Sequence, residues 1–410
     1  MAPRDDDLLA LAEQALTGAR DAAQATAWWE RQLSSTPGNA VSSEAVSVEV
    51  AVLREGRVGT AVTTDVEEDG LRAALDAAAR VAATGPEAAP LPAPAPGRTH
   101  DGYDGSAVDS APPVVGAGVG RRAAAARTAI VSTRGVRAYE ERSFGELRVR
   151  RHDDAGRSLE LSAVAVRPAD LDVAALEAEA GALLGGGEPV AVDGGEHEVV
   201  LGPWAVAEVL RRVALSFGGP WSPVADRLGQ QVTAPAVNLS DSPRFAATLP
   251  RSYDAEGCPR QPLPLIQDGV AHRLAGPGTG HALGAGGAGG SLPEHLVLVG
   301  GGATNISELA APVARGLFIP SLSLHGAWVA GRRGAALAEG VRLIRDGEPA
   351  DPAPNLTVLF EPLELLGRVQ ALSARQRTIP PPVQRSARTA SATVTPAARV
   401  AGGVFVAGPA

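Results

Sequence analysis

Tyr253-Asp254-Ala255-Glu256-Gly257-Cys258-Pro259, then Pro262-Leu263-Pro264-Leu265-Ile266, then Gln267-Asp268-Gly269-Val270, places two acid-and-glycine turns around a short apolar run. A chain that turns, runs extended and turns again at Asp-Gly is a hairpin element.

Working outward, the rest of the chain alternates helix and strand signals. Leu8 to Leu16 has helical spacing, and Asp5 to Asp7 supply negative charge at the positive end of the helix dipole. Val46 to Thr63 reads as two strands joined at Arg54-Glu55-Gly56, and Asp69 to Ala83 as an alanine-rich helix. From Gly85 to Gly97 the Pro-Ala repeats hold neither a helix nor a sheet ladder, which predicts an extended connection. Pro112 to Val119 is a second loose segment. Arg127 to Val131, Gly135 to Phe144, Gly145 to Arg151 and Ser158 to Val166 read as an antiparallel series. A helix from Leu171 to Leu184, capped by Asp170, ends at Gly185-Gly186-Gly187. These glycines mark the expected boundary between domains 1-186 and 187-410. The fold class expected is α+β: an N-terminal α/β domain of antiparallel strands and helices, then a β-rich, barrel-like C-terminal domain.

Composition excludes several functions. The net charge is -9 and the acids are spread along 410 residues, whereas a grip on nucleic acid needs a clustered basic face. The densest basic run, Arg148-Val149-Arg150-Arg151 with Arg137 and Arg142 nearby, alternates like a solvated strand face beside Glu140, Glu141 and Glu146. All 37 basic residues are arginine, so neither Schiff-base chemistry nor a P-loop lysine is available. No apolar run approaches the roughly 18 residues that a membrane span needs. Met1-Ala2-Pro3-Arg4 leads into Asp5-Asp6-Asp7 without a secretory signal, and a single cysteine, Cys258, gives no disulfide framework. The expected location is cytoplasmic.

The 253–270 block resembles the hallmark of the TldD/PmbA family, a two-part bacterial zinc-protease system once called modulator of DNA gyrase. Further resemblances follow in order: Glu44 to Val52, Arg54 to Ala61 and Asp65 to Leu71; Pro203 to Ser216; Leu296 to Asn305, Glu308-Leu309 and Arg315 to Ile319; Ile344 to Pro349; Val394 to Val400. The resemblance implies cleft residues at Asp254, Glu256, Gly257, Asp268, Gly269, Thr304 and Asn305. In the active branch, a helix after Leu-x-Pro carries H-E-x-x-x-H, two histidines for zinc and a glutamate for the attacking water. Here Leu201-Gly202-Pro203-Trp204 leads to Arg211, Arg212 and Ser216 at those positions. Arginine stays protonated and offers a cation no lone pair. The cysteine that the active branch adds near its C-terminus is also missing between Arg377 and Ala410. The resemblance is therefore to the PmbA or TldE side: no metal in this chain, zinc in a TldD-like partner subunit, and a peptide substrate.

Other signals are weaker. His197-Glu198-Val199-Val200-Leu201 begins like a zinc motif but ends in leucine within a strand pattern. Gly276 to Gly290 lacks the strand, helix and lysine of a phosphate cradle, and reads as a flexible loop over a cleft. A stand-alone regulatory or peptide-binding protein, homodimeric in the absence of a partner, remains open. So does an enzyme built on Asp254, Glu256, Asp268 and His272.

Overall fold

The computed structural model describes residues 5–94, 102–104, 116–219, 222–287, 289–324, 328–384 and 386–407. The first half builds β1 (Ala22–Thr36), β2 (Asn39–Arg54), β3 (Arg57–Thr63), β4 (Val119–Ser132), β5 (Arg137–His152) and β6 (Ser158–Ala165). They form one six-stranded antiparallel sheet in the order β3-β2-β1-β4-β5-β6. Helices α1 (Asp5–Ala15) and α2 (Glu68–Ala82) cover one face. Leu71, Ala74, Leu75, Ala78 and Ala82 fall on the inner stripe of α2, with Glu68 and Asp69 in its first turn and Arg80 in its last. Leu71, Ala74, Leu75 and Ala78 pack with Leu8 and Leu9 of α1 on Ala25, Ala27, Val48 and Val50 of the sheet.

Strand β1 was not anticipated: it buries Ala23, Gln24, Ala25, Thr26 and Ala27 in succession, and three of these five are alanines. Two local expectations are corrected. The expected break at Gly145 is absent: β5 runs unbroken, and a Cβ on Gly145 would lie 2.5 Å from Pro168 Cα. Glycine there admits the crossing chain rather than a turn. Helix α3 (Val173–Leu184) is capped by Asp172, whose carboxylate accepts the Ala175 N–H at 2.9 Å. Asp170 instead closes a 3-10 turn that opens at Pro168. Of the two loose segments, 95–97 and 112–115 lie outside the described residues.

The second half contributes β7 (Gly195–Leu201), β8 (Leu239–Asp241), β9 (Leu263–Gln267), β10 (Val270–Ala271), β11 (Leu296–Leu298), β12 (Arg315–Ile319) and β13 (Ser321–Leu324). It continues with β14 (Gly334–Glu339), β15 (Arg342–Arg345), β16 (Glu348–Pro352), β17 (Leu356–Phe360), β18 (Val369–Ile379) and β19 (Thr393–Val406). Helices α4 (Pro203–Leu215), α5 (Ile306–Ala310) and α6 (Pro362–Gly367) complete it. The thirteen strands form one branched sheet with β19 as its spine, paired to β7, β11, β17 and β18. Among the described residues it does not close into a barrel. Its core takes in Val206, Val209, Leu210 and Val213 of α4. Burying each such side chain contributes about 1.5–3 kcal/mol.

The two sheets are joined by buried polar contacts. Arg142, expected on a solvated face, is only 4% exposed. Its Nε donates to Pro250 O, Nη1 to Ala387 and Arg388 O, and Nη2 to Leu249 and Ala390 O. All five N–H groups of the guanidinium are thus used. Arg148 likewise reaches Pro381 O at 2.6 Å. Among the described residues no helix is long and apolar enough to cross a membrane.

Candidate functional site

Gly202 and Pro203 start α4, where the missing proline N–H costs nothing because the first turn has no acceptor for it. The helix places Arg212 in its last turn with Arg211 just before it, and Ser216 is its C-cap residue, 2% exposed. Arg211 forms an ion pair with Glu208 and donates through Nη2 to Ile379 O at 3.2 Å and Pro380 O at 2.6 Å. Burial pulls the Arg211 pKa down against the attraction of Glu208. Its guanidinium therefore spans the space between α4 and the end of β18. Zinc needs neutral nitrogen, thiolate or carboxylate donors in an open tetrahedron. Two guanidiniums and a buried hydroxyl do not fit it.

Asp254, Glu256 and Gly257 come together with Cys258 in one turn. The Asp254 carboxylate accepts the N–H groups of Glu256 and Cys258 at 2.9 Å and of Ala282 at 3.0 Å. Glu256 accepts Gly287 N–H at 3.0 Å. Ligand atoms of Asp254, Glu256 and Cys258 lie within 4.8 Å of one another. The carboxylates are nonetheless committed to backbone donors, and burial together with Asp254 and Glu256 pushes the Cys258 thiol up to about 12. The turn docks on the first sheet: Gln24 Nε2 donates to Ala255 O at 2.7 Å, and Glu140 accepts Ser252 N–H at 2.7 Å. A Cβ on Gly257, whose φ is +77°, would lie 2.6 Å from Val136 Cγ1. The hallmark block is thus a joint between the two sheets.

Asp268 and Gly269 form the two-residue turn between β9 and β10, with φ of +49° and +77°. Both values are positive, as a type I′ hairpin requires. A Cβ on Gly269 would meet Thr233 O at 2.5 Å. Asn305 caps α5 by accepting Glu308 N–H at 3.0 Å, and Glu308 returns the bond by accepting Thr304 N–H at 2.6 Å. His197 lies on β7, as its pattern predicts, and His272 is exposed. The seven cleft candidates line neither cavity beside α4.

The glycine loop is held at Ala285 and Gly286, and its Leu283 lines a small cavity with Asp254. Gly286 O accepts Ala89 N–H, a Cβ on Gly286 would lie 3.1 Å from Ala88, and Ala285 packs with Ala51 and Val58.

Sequence reasoning missed a charged cluster beneath that loop. Asp241 and Arg260 pair at 3.2 Å with side chains 0% and 1% exposed. His281 Nε2 lies 2.8 Å from the same carboxylate, and Asp241 Oδ1 accepts the N–H groups of Glu294 and His295. Burial alone would raise the Asp241 carboxyl, but Arg260 and the hydrogen bond with His281 hold it well below the usual carboxylate range. Burial and then Arg260 drive His295 well below an ordinary histidine, so its ring is neutral. No sequence spacing signals this cluster; its members come from four separate segments.

Residues 194–407, which include α4 and the whole second sheet, match the profile described as the PmbA/TldA metallopeptidase C-terminal domain. The class is therefore metallopeptidase-like. Because the match takes in more than half of the chain, this protein belongs to the PmbA/TldD family. No curated protein matches in sequence. Among solved structures, TldE from Thermococcus kodakarensis superposes with a TM-score of 0.79 at 18% identity, over 98% of this chain and 99% of that one. A Thermotoga maritima protein named as a DNA gyrase modulator gives 0.77 at 19% identity, over 97% and 99%. A Bacteroides thetaiotaomicron protein of the same description gives 0.72 at 15%, over 100% of both chains. At these identities the likeness is one of fold.

Proposed function

We propose that this chain is the non-catalytic, TldE-like member of a pair, which joins a TldD-type zinc metallopeptidase to form a protease acting on short or unfolded peptides. The observation that carries the reading is the Arg211 clamp onto Glu208, Ile379 O and Pro380 O, which fills the motif helix with cation where the active branch needs zinc ligands. In this reading the chain holds no metal, the partner supplies zinc and the attacking water, and the pair works in the cytoplasm. Residues 1-186 and 187-410 act as two domains locked by Arg142, which gives the partner a rigid surface. The likeness to TldE supports this side of the family.

Co-expression with a TldD-like chain tests it, followed by size exclusion, zinc analysis and peptide cleavage on each species. A mixed complex with zinc only in the partner, and cleavage only with both present, is expected. Stoichiometric zinc or cleavage by this chain alone sinks the proposal. A homodimer that ignores every TldD-like chain would favour a stand-alone peptide-binding or regulatory protein.

A further inference from the structure

Beside α4 one guanidinium is left without a counterpart. Two cavities, of about 360 and about 520 Å³, flank the helix and share Arg212 and Pro382 in their walls. Each carboxylate around them already has an arginine partner. Glu208 pairs with Arg211, Glu146 with Arg148, Glu160 with Arg148 and Arg150, and Glu294 with Arg251 and Arg260. Glu208 attracts Arg212 without pairing with it: its Oε1 is held by Arg211, while its buried Oε2 has no hydrogen-bond partner. Among the described residues Arg212 has no ion pair and no hydrogen bond, and its Nε is buried without an acceptor.

A partly desolvated guanidinium without an acceptor forfeits hydrogen bonds that a planar anion would restore, and the fork of arginine matches a carboxylate in two-point geometry. The smaller cavity adds an apolar wall of Leu215, Leu292 and Val383, and Val383 is 68% exposed. Positive charge beside apolar surface fits a carboxylate carried on a hydrocarbon-bearing residue.

We propose that Arg212 receives the C-terminal carboxylate of a peptide ending in an apolar residue, whose side chain lies on Leu215, Leu292 and Val383. The proposal rests on the reading of the chain as a peptide-handling subunit and names the end of the peptide it holds. The arginine that replaces a catalytic position in the motif thereby becomes an anchor.

Titration calorimetry on the purified chain tests this without any partner. The probes are a short peptide ending in leucine with a free carboxylate, the same peptide amidated, and inorganic phosphate. The free acid is expected to bind at least about tenfold more tightly than the amide, the difference one charge-assisted contact makes. R212Q should lose that difference with an unchanged melting temperature, and R212K should keep part of it. Equal binding of acid and amide overturns the proposal, as does unaltered discrimination in R212Q. Phosphate that displaces the peptide at equal concentration reduces the site to a bare anion hole and overturns it too. Absence of peptide binding also ends it, while cleavage with a TldD-like partner judges the subunit reading separately.

Discussion

Arg142 on β5 donates through Nη2 to the carbonyl of Ala390 at 2.6 Å, joining the first sheet to the loop that precedes β19. With four further carbonyls on the same guanidinium, this one side chain fixes the 249–250 and 387–390 segments together. Burial lowers its pKa to about 10, so it remains charged at neutral pH. Replacing it by methionine leaves five carbonyls to find other donors, and R142M is expected to lose about 3–5 kcal/mol in urea denaturation. R142K keeps the charge but not the planar fork, and should recover less than half of the loss. A loss under about 1 kcal/mol in R142M would mean that the other contacts between the sheets hold them without Arg142.

The Asp241 cluster makes stability depend on pH in a defined direction. His295 titrates well below its ordinary value of 6.5 in the folded chain, so below that pH the unfolded state binds a proton that the fold refuses. The contribution is complete above about pH 6.5 and fades as the pH falls, at up to about 1.4 kcal/mol per pH unit. Asp241 acts in the same sense at lower pH: its folded carboxyl is depressed, and its contribution disappears below the ordinary 3.8. The expected result is a stability curve that declines between pH 6.5 and 5 in the native chain and flattens there in H295Q. Parallel curves for the two proteins would assign the decline to other groups.

What was legible in the sequence was local. The Asp268-Gly269 turn and the alanine-rich helix α2 follow from a few adjacent residues, and they stand where their patterns put them. Arg142 illustrates what was not legible. A basic residue in alternating sequence looks the same whether water or five carbonyls receive its protons, because those carbonyls lie more than a hundred residues away. Strand β1 escaped for a related reason, since its inward alanines are too small to stand out from their neighbours until α1 and α2 cover them. Local roles of the cleft candidates were likewise not legible: Asp254 holds a turn, Asn305 caps a helix and Gly257 permits a close approach.

Gly257 offers an internally controlled test of the joint. Its φ of +77° is matched by Gly156, also +77°, where an added Cβ would meet nothing within 4 Å. G156A therefore reports the cost of left-handed backbone alone, roughly 1–2 kcal/mol. G257A adds the 2.6 Å encounter with Val136 Cγ1, on a β-branched side chain that cannot swing away freely. Thermal denaturation should rank G257A below G156A by a further 1–3 kcal/mol, as overpacking does elsewhere. Equal losses would show that the hallmark turn does not press on the first sheet.

Cys258 should be slow to react despite being half-buried rather than sealed. The thiolate is the reactive form, and a thiol at about 12 in place of its ordinary 9.0 is ionised roughly a thousandfold less at pH 8. The cause is burial first, then the charges of Asp254 and Glu256, which any incoming negative charge must also face. Ellman's reagent at pH 8 is expected to label the native chain two to three orders of magnitude more slowly than the same chain in urea. D254N should speed the labelling by removing one of the opposing charges and loosening the turn that its carboxylate holds through Glu256, Cys258 and Ala282. Native labelling at the rate of a free thiol would place Cys258 in a different electrostatic setting, one in which it could serve as a ligand or nucleophile after all.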